Sequence, residues 1–150
     1  MNAVRVINVL LAGMMTGGLV MVMVAVIPTF HRLPDELAVI LHREVDHYID
    51  VPLPLFTVLT FLTAIPLLFD SSLSSTSKVL IGVAAGATLV VAVSSHLINR
   101  PMNKRLRSWG DRFVPEEYAT LRRRWDLAHA WRTFAGLVAL CCLIAALING

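Results

Sequence analysis

Four apolar stretches, each near the length a helix needs to cross a bilayer, dominate this 150-residue chain and leave it little else to fold into. They run Val6–Phe30, Val51–Phe69, Val79–Ile98 and Leu127–Ile148. A spanning helix takes about 20 mostly apolar residues to cross about 30 Å of hydrocarbon. The first, third and fourth stretches meet that. The second is marginal, with Pro52 and Pro54 at its start and Pro66 near its end. Proline in a first turn costs little, because its missing N–H would be unpaired there anyway. Pro66 is expected to bend or end its helix, and Pro28 to close the first span. With 57% hydrophobic residues and a mean hydropathy of +0.72, the expected fold is all-α. It is an integral membrane four-helix bundle, one transmembrane domain over residues 1–150 with no room for a separate soluble domain. Only Arg5 precedes the first stretch, its apolar run exceeds a signal-peptide core, and no small-residue cleavage site follows. It therefore reads as a retained span.

The net charge of +3 matters less than its placement. Arg100, Lys104, Arg105, Arg107, Arg112, Arg122, Arg123 and Arg124 all fall between spans 3 and 4, and Arg32 and Arg43 between spans 1 and 2. The other face has only Arg5 and Lys78. The positive-inside rule then puts both long loops in the cytoplasm and both termini outside, in the plasma (inner) membrane. Orientation and contact with anionic lipid account for the basic run, so no nucleic-acid partner is expected. Cys141 and Cys142 are adjacent in an apolar helix, where a disulfide would strain the backbone, and packing is their expected role. No GxGxxG or P-loop marks a nucleotide site.

The loops carry structure of their own. Glu36 to Tyr48 fits a short amphipathic helix at the interface, with Leu37, Ile40, Leu41 and Val45 as its apolar stripe. Asp70 to Ser77 reads as a plain polar turn. Spans 3 and 4 are joined by a basic helical loop. In it, Val114-Pro115-Glu116-Glu117-Tyr118 opens a helix running through Leu121 and Trp125 into span 4. The pairs Gly13/Gly17 and Gly82/Gly86 allow close helix approach, serving packing within one chain or a homo-oligomer equally well.

All five histidines fall at one end of such a bundle, since exits of odd spans and starts of even spans share a membrane face. His31 follows span 1, His42 and His47 precede span 2, His96 ends span 3, and His129 lies just inside span 4. Ionisable groups at membrane depth are costly and usually functional. Trp125, His129 and Arg132 are spaced i, i+4, i+7 on one helix face, as are His96, Asn99 and Asn103 at i, i+3, i+7. Pro101 frees the carbonyl of Leu97 beside His96. Asp46 stands where it can fix the tautomer of His42 or His47, and His31 reads as incidental. Two chemistries compete. In one, His96 or His129 acts as a base while Arg132, Asn99 and Asn103 hold a developing oxyanion. In the other, His42, His47, His96 and His129 supply ligands to a haem or metal ion. There is no HxxxH, no pair of ExxH motifs and no CxxCH, so a metal site would have to be built by tertiary convergence.

The elements Asn99-Arg100-Pro101-Met102-Asn103, Trp109, Leu121-Arg122-Arg123-Arg124-Trp125, His129 and Arg132 together carry a resemblance. The chain resembles the anthrone oxygenase-like family of small four-span membrane proteins, over nearly its whole length. The resemblance implies an oxygenase that converts anthrones, electron-rich fused aromatic phenols, to anthraquinones. It implies Asn99, Asn103, Trp125, His129 and Arg132 as signature positions, with Asn99, Asn103 and Trp125 touching a lipophilic substrate and His96, His129 and Arg132 catalytic. A haem or metal could activate O₂, or the oxygenation could be cofactor-independent. The rival reading is a non-enzymatic structural or small-molecule-binding membrane protein, in which the polar helix ends only close the bundle. Transport is weaker, because no charged residue sits near a bilayer centre.

Overall fold

The computed structural model describes residues 2–109 and 116–149. Helix α1 spans Asn2–Arg32, α2 Asp35–Leu68, α3 Ser75–Ser108 and α4 Tyr118–Ile148, each long and apolar enough to cross a membrane. No strand occurs among the described residues. The chain is an all-α four-helix membrane protein, as its apolar pattern dictates. The helix start expected at Val114–Pro115, like Arg112, lies outside the described residues. From Tyr118 the helix runs unbroken into span 4.

At the histidine end the helices outrun their apolar stretches. The amphipathic segment is there, as Asp35–Ile49, stacked end to end on Pro52–Leu68 through Asp50 and Val51. Its buried face, however, is Ala38, Val39 and His42. Leu37 and Ile40, expected in the packed stripe, are 52% and 41% exposed. Against lipid a large aliphatic side chain gains nothing by burial, so small and polar residues take the helix interface.

Pro28 does not close the first span. Helix α1 continues to Arg32 through a π turn at Val22–Val26, and α3 contains a second π turn at Ser95–Asn99. Each π turn ends two residues before a proline, Pro28 and Pro101 respectively. A proline ring clashes with the carbonyl four residues back, here Val24 and Leu97. Both lie inside the wider turn, which makes room for the ring without ending the helix. Pro66 behaves as expected, since its helix ends at Leu68.

Away from the histidines the helices close on small residues, among them Ala12, Ala64, Ala84 and Ala139. Buried amides and hydroxyls tie them together. Asn8 Nδ2 donates to the Thr60 carbonyl at 2.7 Å and to Thr63 Oγ1 at 2.6 Å, and Thr16 Oγ1 donates to the Gly136 carbonyl at 3.0 Å. Gly136 is the close approach of α1 and α4. A Cβ there would meet Leu19 Cδ1 at 3.2 Å and Thr16 Oγ1 at 3.3 Å. At Gly13, Gly17 and Gly86 a Cβ would meet nothing within 4 Å. Cys141 and Cys142 are free thiols, the first exposed and the second half-buried.

Opposite the histidines, Arg5 Nη2 donates to Asp70 Oδ2 at 3.2 Å and to Ser72 Oγ at 3.1 Å. The Ser72 hydroxyl and amide donate to Asp70 Oδ1 at 2.7 and 3.0 Å. These bonds from Ser72, and then the charge of Arg5, hold the Asp70 carboxyl below the usual carboxylate range. A carboxylate depressed in the fold contributes stability above its unfolded pKa of about 3.9 and loses it as pH falls through the folded value. Asp70→Asn is therefore expected to melt lower than wild type near pH 7, with the gap closing well below pH 4. Melting curves in lipid nanodiscs across that range check it, and a gap that persists in acid would show that the carboxylate charge is not its source.

Candidate functional site

The histidine end is held together by charge as well as packing. Asp46 accepts hydrogen bonds from Asn103 Nδ2 and Arg107 Nη2, and Arg107 also reaches Asp50 at 3.1 Å. Asp46 thus clamps α2 to α3 and does not orient a histidine. On the outer flank His31 Nε2 meets Asp126 Oδ2 at 2.7 Å, joining α1 to α4. His31, read from sequence as incidental, has this structural partner.

Between the helices at this end lies a cavity of about 590 Å³, within the size range of small-molecule sites, roughly 300–1,000 Å³. One wall is a run of four rings. Phe30 stacks on His42 with centroids 4.8 Å apart, and His42 meets Trp125 edge-on at 4.5 Å. Trp125 stacks on His129 at 5.3 Å. The Trp125 indole N–H donates to Asn103 Oδ1 at 3.1 Å, so the Asp46–Asn103–Trp125 chain fixes the ring's angle. On the flank between α2 and α3 the lining residues Val58, Val93 and Leu97 are 49%, 45% and 67% exposed. The cavity therefore opens sideways on an apolar surface.

Arg132 stands at the cavity's inner end, 8% exposed. Its Nη1 donates to Ser95 Oγ at 3.1 Å and its Nη2 to His129 Nδ1 at 2.7 Å. The Asn99 amide, turned so that its oxygen faces the donors around it, accepts from Arg132 Nη2 at 2.7 Å and from Trp125 Nε1 at 3.1 Å. All these partners are neutral, and among the described residues no carboxylate lies within ion-pair distance of Arg132. Its positive charge is left for whatever fills the cavity. Snorkelling to the interface, the alternative for an arginine this near a helix end, is not what it does.

His129 is locked on both sides. Its Nε2 faces the Leu19 carbonyl at 2.9 Å, which can only accept, and its Nδ1 faces Arg132 Nη2, which can only donate. The ring is the neutral Nε2–H tautomer. His96 lines the cavity from an exposed position at its mouth. It does not share the buried face of Asn99 and Asn103, because the π turn at Ser95–Asn99 bonds i to i+5 and swings it off that face. His47 is exposed, packed edge-on against Tyr48, and does not line the cavity. His42 does line it, 1% exposed, and neither of its ring nitrogens has a hydrogen-bond partner. A buried polar group left unpaired costs about 1–3 kcal/mol.

Sequence spacing brought His129, Arg132, Trp125, Asn99 and Asn103 to one place, and the structure gathers them. It missed Phe30, Ser95 and the Leu19 carbonyl. No sequence signal marks a backbone carbonyl as a histidine's partner. These residues do not build a metal or bis-histidine haem site. His129 has no free nitrogen, His47 is elsewhere, and among the described residues no three of His, Cys, Asp and Glu converge.

Four apolar helices around a lipid-facing cavity, with an aromatic wall and a buried cation, define a small membrane protein built to hold a flat lipophilic molecule. The family model for anthrone oxygenase matches residues 43–142. The chain belongs to the anthrone oxygenase family. The match takes in Asn99, Asn103, Trp125, His129 and Arg132 but stops one residue short of His42. No curated protein and no solved structure matches the chain.

Proposed function

We propose that this protein is a membrane oxygenase for a lipophilic hydroxylated fused aromatic of the anthrone type, and that its active site is the cavity at the cytoplasmic end of a single transmembrane domain. The observation that carries this is Arg132, a buried cation with only neutral partners, facing an aromatic-walled space that opens toward lipid. The basic residues of both long loops put that end in the cytoplasm and both termini outside the plasma membrane.

The ring system would slide in between α2 and α3 and lie along the Phe30–His42–Trp125–His129 wall. Arg132 would hold the substrate oxygen that becomes phenolate, with Ser95, His129 and Asn99 keeping the guanidinium aimed. Such a preplaced charge favours the anion over the neutral phenol. A histidine of the cavity takes the proton from the acidic methylene carbon. The resulting carbanion gives one electron to O₂, and the radical pair closes a C–O bond to form a hydroperoxide. Loss of water from it leaves the quinone carbonyl. One oxygen atom ends in the quinone and the other in water. The substrate supplies all four electrons, so no outside reductant is consumed.

The test is oxygen uptake and quinone absorbance with full-length protein in nanodiscs and 1,8-dihydroxyanthrone as the probe. Uptake matched mole for mole by quinone, well above the rate of empty nanodiscs, is expected. Tight binding of the probe without added uptake would replace the oxygenase reading with a non-enzymatic binding protein, a reading favoured by how many of the polar groups, such as Asp46 and Arg107, tie helices together.

A further inference from the structure

The five histidines are not equivalent in this structure, and only one is placed to do chemistry inside the cavity. His129 has both nitrogens bonded by protein groups, one by a carbonyl and one by a guanidinium. Taking a proton at Nδ1 would require it to let go of Arg132. His31 is paired with Asp126, and His47 lies outside the cavity. His96 sits at the mouth, exposed. His42 is buried among Phe30 and Trp125, lines the cavity, and has Nδ1 and Nε2 both unpartnered.

Buried polar groups are nearly always hydrogen-bonded, and the exceptions call for an explanation. Here the carboxylate one turn along, Asp46, is already taken by Asn103 and Arg107 and gives none. An imidazole between two aromatic rings is held in orientation by stacking alone, with its nitrogens free for a ligand.

We propose that His42 is the group that contacts the bound aromatic and accepts its proton, while His129 is a positioning residue that holds Arg132. This rests on the oxygenase reading for the proton step. The recognised substrate class is then a fused aromatic with an acidic CH or OH near one ring edge, its oxygen at Arg132 and that edge at His42. The two roles divide the labour between a fixed charge and a free base. Neither a plain hydrocarbon nor a neutral sterol offers a group for both.

Two measurements test this. In the first, full-length protein with ¹⁵N-labelled imidazole rings is placed in nanodiscs and titrated with 1,8-dihydroxyanthraquinone, an unreactive probe of the same shape. The His42 ring signals are expected to shift on binding, while His129 keeps its Nε2–H pattern. Shifts confined to His129 or His96 would overturn the proposal. In the second, anthrone turnover is followed in His42→Gln and His42→Asn. A loss of about 100-fold or more in kcat, with KM changed only a few-fold, is expected in both. Turnover within about threefold of wild type in either variant removes His42 as the base and leaves the oxygenase reading standing. If wild type shifts its His42 signals yet oxidises nothing, the oxygenase reading falls and His42 is retained as the ligand-contacting residue alone.

Discussion

Arg132→Met should lower anthrone turnover by about 10²–10³, the usual effect of removing one preplaced stabiliser of a developing oxyanion. It should do so without unfolding the protein. The guanidinium has no carboxylate partner among the described residues, so its removal strands no buried opposite charge, and replacing a buried ion with an apolar group of similar volume is often neutral or better. The groups left behind are the Ser95 hydroxyl, His129 Nδ1 and the Asn99 amide. Arg132→Lys should not restore activity. A single ammonium head cannot span Ser95 on α3 and His129 on α4 with the fixed fork of a guanidinium. Affinity for the neutral quinone should change far less than turnover. Oxygen uptake and melting temperature of the two variants decide the matter. Full turnover in Arg132→Met, or a large fall in melting temperature with loss of activity, would make this arginine a bundle-closing residue.

Gly136→Leu should be the most damaging substitution in the apolar part of the bundle. Even a Cβ would come within 3.2 Å of Leu19 and 3.3 Å of Thr16. A full side chain must push α1 and α4 apart, and such overpacking costs about 1–3 kcal/mol or more. The same shift would break the Thr16 bond to the Gly136 carbonyl and move the Leu19 carbonyl away from His129. Activity should therefore fall with stability, unlike Arg132→Met. Gly17→Leu is the control, since a Cβ there meets nothing within 4 Å. Melting of both variants in nanodiscs tests the pair. An equal loss in Gly17→Leu would mean that the glycine face of α1 is covered by another copy of the chain.

Hydrophobicity located the helices well and their interfaces badly, for one physical reason. In water a large aliphatic residue marks a buried position. In lipid it is as well solvated outside the bundle as in it. Val24, Leu97 and Phe134 are accordingly 65%, 67% and 61% exposed, while Asn8, Thr16, Thr60 and Thr88 are almost fully buried. Leu37 and Ile40 misled the reading of the amphipathic segment in this way. The site was legible where α-helical spacing holds, as for Trp125, His129 and Arg132 on one unbroken helix. It was not legible across the π turn, where the same rule placed His96 with Asn99 and Asn103. Asp46 was recognised as a carboxylate near histidines. Its true partners, Asn103 and Arg107, are more than fifty residues away in the chain, beyond what local spacing reports.

The two π turns give the bundle a phase. Each adds one residue to a turn, and one residue is worth about 100° of rotation on an α-helix. Below Ser95–Asn99, α3 is thus set at a different azimuth from the α3 above it. The upper part turns Val83, Leu89 and Val90 outward, and the lower part turns Asn103 and Leu106 inward. A single-residue deletion within that turn would behave as a rotation of everything after it rather than as local damage. Asn103 would leave Trp125, and Arg107 would leave Asp46, although none of these four residues had been touched. Residue count along α3 is in this sense a part of the site, as much as any side chain that lines it.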